Sequence, residues 1–177
     1  MTTIRTVSSK DYYVAISRVT KRTNGPETTN RFWPQKLPMN GETVYDVFVY
    51  GTLTDPDRAA AILSTYSFGP DARIDGLHRV DGAYPTLVPG GSVEGKILRT
   101  ADLDALDAYE GVERGLYARV WIPYSTDRNR RDSSTEVAAY VGRPTPLGVD
   151  VDWPGTGEFG ERVRRYVDSN AIECLER

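Results

Sequence analysis

The chain has 177 residues, 39% of them hydrophobic, with 22 Lys and Arg against 25 Asp and Glu, enough for one domain with a substantial core. Its single cysteine, Cys174, and single histidine, His78, exclude a disulfide framework and cysteine or multi-histidine metal centres, and leave little basis for a Ser-His-Asp hydrolase. No apolar run approaches the length of a membrane span and no signal-peptide pattern opens the chain, so the expectation is a cytoplasmic protein with no membrane partner.

Charge is unevenly placed. Residues 1–38 hold seven Lys and Arg against two acids, whereas the remainder holds 15 basic and 23 acidic groups. An acidic body argues against nucleic acid as its partner, because phosphate binding needs a basic face. Residues 1–43 read as a polar, basic extension, either disordered or the product of a mis-assigned start, with Met39 the expected true start and 44–177 the folded domain. Within the extension, 12–19 alternates imperfectly and offers at most one strand, and Asn24-Gly25-Pro26 marks a turn.

Downstream, 47–50 reads as a buried strand and 56–63 as a helix capped by Asp55 with Pro56 at its first position. A strand is expected over 72–80, then an extended piece at Thr86, Leu87 and Val88, a turn at Pro89-Gly90-Gly91 and a strand over 93–98. A short helix follows from Thr100 or Asp102 to the stop at Gly111. Strands over 117–124 and 136–141 flank a charged loop over 126–135, where Asn129-Arg130-Arg131-Asp132 reads as a solvated hairpin tip. A last helix starts at Phe159, with Phe159, Val163, Tyr166 and Val167 on one face.

Two motifs carry chemistry. In Val47-Phe48-Val49-Tyr50-Gly51-Thr52-Leu53 a strand breaks at glycine and opens into a helix, leaving backbone N–H groups unpaired and aligned. Such a turn accepts an anion, here a carboxylate, and a close backbone approach at Gly51 is expected to use positive φ. The second motif is Leu103-Asp104-Ala105-Leu106-Asp107-Ala108-Tyr109-Glu110-Gly111. Leu103, Leu106 and Glu110 share one side of the helix, so a carboxylate projects from the buried face at the end where the macrodipole disfavours it. Both effects raise its pKa toward the range of a general base or acid. The bland alternative turns Glu110 to solvent or pairs it with Arg114 or Arg119. His78, between Leu77 and Arg79, reads as structural.

The order of Val47-Phe48-Val49-Tyr50-Gly51-Thr52-Leu53, Tyr84-Pro85, Val93-Glu94-Gly95, the Leu106-Asp107-Ala108-Tyr109-Glu110-Gly111 helix and Tyr117-Ala118-Arg119 resembles the γ-glutamylcyclotransferase-like family, nearest its γ-glutamylamine cyclotransferase and AIG2-like branch. The resemblance spans about residues 46–142. It implies an α+β fold, a small closed or nearly closed mixed β-barrel of about six strands with flanking helices. It implies a cyclotransferase acting on a small γ-glutamyl amine or amino-acid derivative without metal or cofactor. Carried over position by position, the resemblance implies substrate binding by Tyr50, Gly51, Thr52, Leu53 and Tyr117, and acid-base catalysis by Glu110. The alternatives are a related deprotecting step on a larger γ-glutamyl compound, and a non-catalytic ligand-binding or interaction protein on the same scaffold.

Overall fold

A computed structural model describes residues 42–126 and 135–177. The expected strand at 12–19, the Met39 start and the hairpin tip at Asn129-Arg130-Arg131-Asp132 lie outside the described residues. In chain order come β1 (Tyr45–Val49), a 3-10 turn (Thr52–Thr54), α1 (Pro56–Ile62), β2 (Ser67–Asp81), β3 (Pro85–Thr100) and α2 (Leu103–Glu110). Then follow β4 (Tyr117–Ser125), β5 (Glu136–Gly142), α3 (Pro144–Leu147), α4 (Phe159–Ser169) and β6 (Cys174–Glu176).

The six strands close a mixed barrel in the order β1-β3-β2-β6-β4-β5. Two contacts are parallel, β1 with β5 (Val47 opposite Ala138) and β4 with β6 (Tyr124 opposite Cys174), and the other four are antiparallel. The expected α+β barrel with flanking helices is therefore the observed fold.

Strand alternation sorts the core into two clusters. Phe48 joins Ile74, Leu77, Ile97, Val120, Ile122, Ala139 and Val141 in one, which α4 completes with Phe159, Val163 and Val167. Its neighbours Val47 and Val49 join Leu98, Ala138 and Tyr140 in the other, where α1 and α2 contribute Ala59, Leu103 and Leu106. One strand thus serves both cores and delivers the loop that follows it to their common boundary.

Two expectations need correction. Pro89-Gly90-Gly91 is not a turn, because β3 runs through it. Gly90 and Gly91, both at positive φ (91° and 66°), face Gly76 where the β2–β3 register shifts, and His78 Nδ1 is 2.9 Å from the Gly90 carbonyl. The result is a bulge within one long hairpin, whose reversal lies between Asp81 and Pro85. Second, β6 and α3 have no counterpart among the expected elements. Three residues of β6 bridge β2 and β4 and so close the barrel.

Gly95 sits where β3 crosses the end of β1. A Cβ there would lie 2.5 Å from the Val49 carbonyl oxygen and 2.5 Å from Phe48 Cζ, and a backbone oxygen has nowhere to go. Gly95→Ala is expected to cost about 1–3 kcal/mol as overpacking, seen as a fall of several degrees in Tm. A variant melting with the wild type would contradict this account of the close approach.

Candidate active site

The segment after β1 is built to hold still. Thr54 N–H and Thr54 Oγ1 both donate to the Gly51 carbonyl, at 3.1 and 2.7 Å, and Asp55 N–H donates to the Thr52 carbonyl at 3.2 Å. Asp55 in turn caps α1, accepting from Asp57 N–H at 2.9 Å, with Pro56 at the position where its missing N–H costs nothing. Leu53 is buried in the cluster with α1 and α2, so its side chain anchors the turn. Among the described residues none accepts a hydrogen bond from the N–H groups of Gly51, Thr52 or Leu53, the orphan donors expected where a helical turn begins. Gly51 itself has φ −131°, which corrects the expected positive φ. A Cβ there meets Pro85 Cγ at 3.8 Å, an ordinary contact.

Tyr50 is fixed at both ends. Its carbonyl accepts from Arg79 Nη1 at 3.0 Å, and its phenol donates to the Tyr140 carbonyl at 2.6 Å. Arg79 is itself forked onto Asp81, through Nε at 3.0 Å and Nη2 at 2.8 Å. Burial, followed by the charges of Tyr117 and Glu110, pushes the Tyr50 phenol well above its ordinary range, with Arg79 opposing. Tyr50 therefore stays protonated, and the same interactions place its phenol within electrostatic reach of Glu110 and Tyr117.

Tyr117 opens β4 opposite Gly142 of β5. Its buried phenol donates to the Pro85 carbonyl at 2.7 Å. Behind it, buried Thr86 donates to the Gly142 carbonyl at 3.0 Å and accepts from the Gly142 N–H at 2.7 Å. This closes the gap between β3 and β5 where no ladder joins them. A side chain at Gly142 would run into Leu147 Cδ1 and would meet Thr86 Oγ1 and Tyr117 Cε1 at 3.0 Å, so the glycine makes room first for Leu147 and then for Thr86 and the tyrosine.

Glu110 ends α2. Leu103 and Leu106 bury the helix face from which it projects, as the spacing predicts. Gly111 terminates the helix at φ 69°, with Val112 N–H bonded to the Asp107 carbonyl at 2.9 Å and Gly111 N–H to that of Ala108 at 3.3 Å, the Schellman pattern that needs a left-handed residue. Burial alone pushes the Glu110 carboxyl from 4.5 to about 7. The bland pairing with Arg119 is not formed. Arg119 Nη1 donates instead to Asp107 Oδ2 at 2.7 Å, and Tyr140 Oη donates to Asp107 Oδ1 at 2.7 Å. Two carboxylates one turn apart therefore differ sharply, Asp107 engaged on both oxygens and Glu110 accepting from no described residue.

The start of α2 is tied down as well. Asp102 does not cap its own helix through its side chain. It accepts from Ser64 N–H and Ser64 Oγ, each at 2.6 Å, and from Thr65 N–H at 2.9 Å. Of the residues picked out from sequence, the structure groups Tyr50, Tyr117 and Glu110, with the 51–53 turn directly after Tyr50. Thr86, Tyr140, Gly142 and Arg79 were not anticipated. Only strand register brings them in, and a single sequence does not display register. Among the described residues no group of three or more His, Cys, Asp or Glu is placed to hold a metal ion, and no helix is long and apolar enough to cross a membrane.

Comparison with known proteins bears on the same residues. The family profile described as gamma-glutamyl cyclotransferase, AIG2-like, matches residues 47–155. AIG2-like protein C of Arabidopsis thaliana is 35% identical over 83 residues, covering 42% of this chain and 48% of that protein, so the match spans about half of that relative's length. AIG2-like protein A of the same plant is 28% identical over 139 residues, covering 76% of this chain and 81% of that protein. A solved structure titled gamma-glutamyl cyclotransferase aligns with TM-score 0.48 at 18% identity, over 57% of this chain and 68% of that one. With the profile spanning more than half of the sequence, from β1 past α3, the chain belongs to the gamma-glutamyl cyclotransferase, AIG2-like family.

Proposed function

We propose that the protein is a cyclotransferase that releases 5-oxoproline and a free amine from a small γ-glutamyl amine or amino-acid derivative. The observation that carries this reading is the carboxyl of Glu110 at the end of α2, which burial pushes from 4.5 to about 7 and whose charge acts on the Tyr50 phenol just before the 51–53 turn. A carboxylate tuned to neutrality is what proton transfer near neutral pH requires.

The substrate's α-carboxylate sits on the N–H groups of Gly51, Thr52 and Leu53, where the partial positive charge of the turn favours it. Glu110 takes a proton from the α-ammonium. The freed amine attacks the γ-carbonyl carbon of the same molecule, forming the ring C–N bond, and the C–N bond to the leaving amine then breaks. Glu110 returns its proton to the departing nitrogen, and the second proton shed by the ring nitrogen leaves with the amine as ammonium. Ring closure is intramolecular, so much of the rate enhancement comes from holding the folded conformer, worth several kcal/mol. Proton transfer adds ~10²–10⁴-fold. Tyr117 and Tyr50 wall the site, Tyr50 as a neutral phenol. No step in this sequence calls for a metal or an organic cofactor.

A panel of γ-glutamyl compounds, assayed for 5-oxoproline, tests the reading. Turnover on at least one is expected from the wild type, with a loss of at least ~10²-fold in Glu110→Gln and only a mild loss in Thr52→Ser, whose contact is made by its backbone. Binding without turnover across the panel would instead favour the non-catalytic alternative. Near-wild-type activity in Glu110→Gln would remove the acid-base assignment.

The pH dependence has a definite sign. As the base, Glu110 must be ionised and the substrate must arrive as its α-ammonium, so kcat/KM falls as pH drops through about 7 and is level above it until the α-ammonium itself loses its proton in solution, where it falls again. His78→Gln is expected to leave this acid limb in place, because His78 is engaged with the Gly90 carbonyl at 2.9 Å within the β2–β3 hairpin. Loss of the limb in a folded His78→Gln protein would transfer the base to His78.

A further inference from the structure

Glu110 sits at the last residue of an eight-residue helix whose buried leucines lie toward its start. Leu103 and Leu106 fix the start of the helix against the core, and its final turn is held by Tyr109, which packs on the same cluster with its hydroxyl 3.3 Å from Thr52 Oγ1, and by a second, stronger hold. Asp107, one residue beyond Leu106 and one turn before Glu110, supplies that hold twice over. Its backbone carbonyl accepts the Val112 N–H at 2.9 Å and so locks the turn that follows Glu110. Its carboxylate spans two strands, taking Arg119 of β4 on one oxygen and Tyr140 of β5 on the other, both at 2.7 Å.

These two donors are direct cross-strand partners. Arg119 is further steadied over the Trp121 ring at 5.9 Å. The carbonyl of the same Tyr140 accepts the Tyr50 phenol at 2.6 Å. One residue of β5 is therefore bonded both to the side chain that precedes the anion-binding turn and to the helix that carries the base.

We propose that Asp107 is a positioning residue that sets the distance between Glu110 and the 51–53 turn by pinning the end of α2 to the Arg119–Tyr140 pair. The inference rests on the cyclotransferase reading above. The Asp107–Arg119 pair is largely shielded from water (side chains 21% and 28% exposed), and the cost of desolvating two charges offsets much of their attraction. Its two-point geometry is better accounted for by the placement it enforces, since a shift of about 1 Å between reacting groups costs ~10²-fold in rate.

The test is a double-mutant cycle on the best substrate, with each protein's folded fraction measured and rates referred to folded protein. Asp107→Ala is expected to lower kcat by about 10–100-fold with KM changed less than about threefold. Tyr140→Phe, nearly isosteric and missing one of the two donors, should lower kcat by several-fold in the same way, and it carries the test if Asp107→Ala does not fold. In a Glu110→Gln background either substitution should change the residual rate by less than about twofold, because its effect runs through Glu110. An equal loss in both backgrounds, or no loss of kcat in the folded single variants, would overturn the positioning role. A silent wild type, or a Glu110→Gln variant as active as wild type, would overturn the functional reading and this inference together, and both appear before any Asp107 variant is made.

Discussion

The burial of one carboxyl group organises this site. Water stabilises an ionised carboxylate far better than a protein interior does, and Glu110 gives up much of that stabilisation where α2 meets the barrel, so its pKa rises from 4.5 to about 7. The linkage runs against the native state. Between those two values the folded chain binds a proton that the unfolded chain has released, so stability falls as pH rises across the window and levels off above it. The shift corresponds to a penalty on the order of 3 kcal/mol at alkaline pH, a sizeable share of a typical domain's stability. A site that costs this much is maintained by the rest of the fold.

What maintains it is the seating of a short helix on a closed barrel. An eight-residue helix is too short to be stable by itself, and α2 owes its position to tertiary contacts along its length, among them that of Tyr109, whose hydroxyl lies 3.3 Å from Thr52 Oγ1. Asp102 ties its start to Ser64 and Thr65, Leu103 and Leu106 fill the cluster shared with β1 and α1, and Asp107 links its last turn to β4 and β5. The turn after β1 shares β5 with the helix. Arg79 of β2 holds the Tyr50 carbonyl and Tyr140 of β5 holds its phenol. Because β1 lies between β3 and β5 in the closed sheet, the turn and the helix are referred to one frame, as the proposed ring closure requires.

Much of this was legible in the chain itself. The leucine spacing over Leu103, Leu106 and Glu110 placed the carboxylate on the buried face, and Gly111 stopped the helix where a left-handed residue was needed. Asp55-Pro56 marked the start of α1 correctly. Features that depend on register or closure were not legible. Tyr140 and Thr86 look like ordinary strand residues until β5 is placed beside β1 and near β3. Arg119 stood, with Arg114 and solvent, only in the bland alternative for Glu110, and helix geometry alone does not reveal that its strand presents it to Asp107. Pro89-Gly90-Gly91 carries every local mark of a turn, yet a bulge opposite Gly76 uses the same residues without reversing the chain. Three residues of β6 are too few for any periodic signal, although they close the barrel.

The central claim is that Glu110 holds a proton in exchange near neutrality. Carbon-13 NMR of protein labelled at the glutamate δ-carbon, with the Glu110 signal assigned by its loss in Glu110→Gln, measures this without reference to any substrate. The account predicts a titration midpoint near 7 for Glu110, set apart from the other glutamates. A midpoint at the ordinary value of 4.5 would show a solvated carboxylate and contradict the proposed acid-base role.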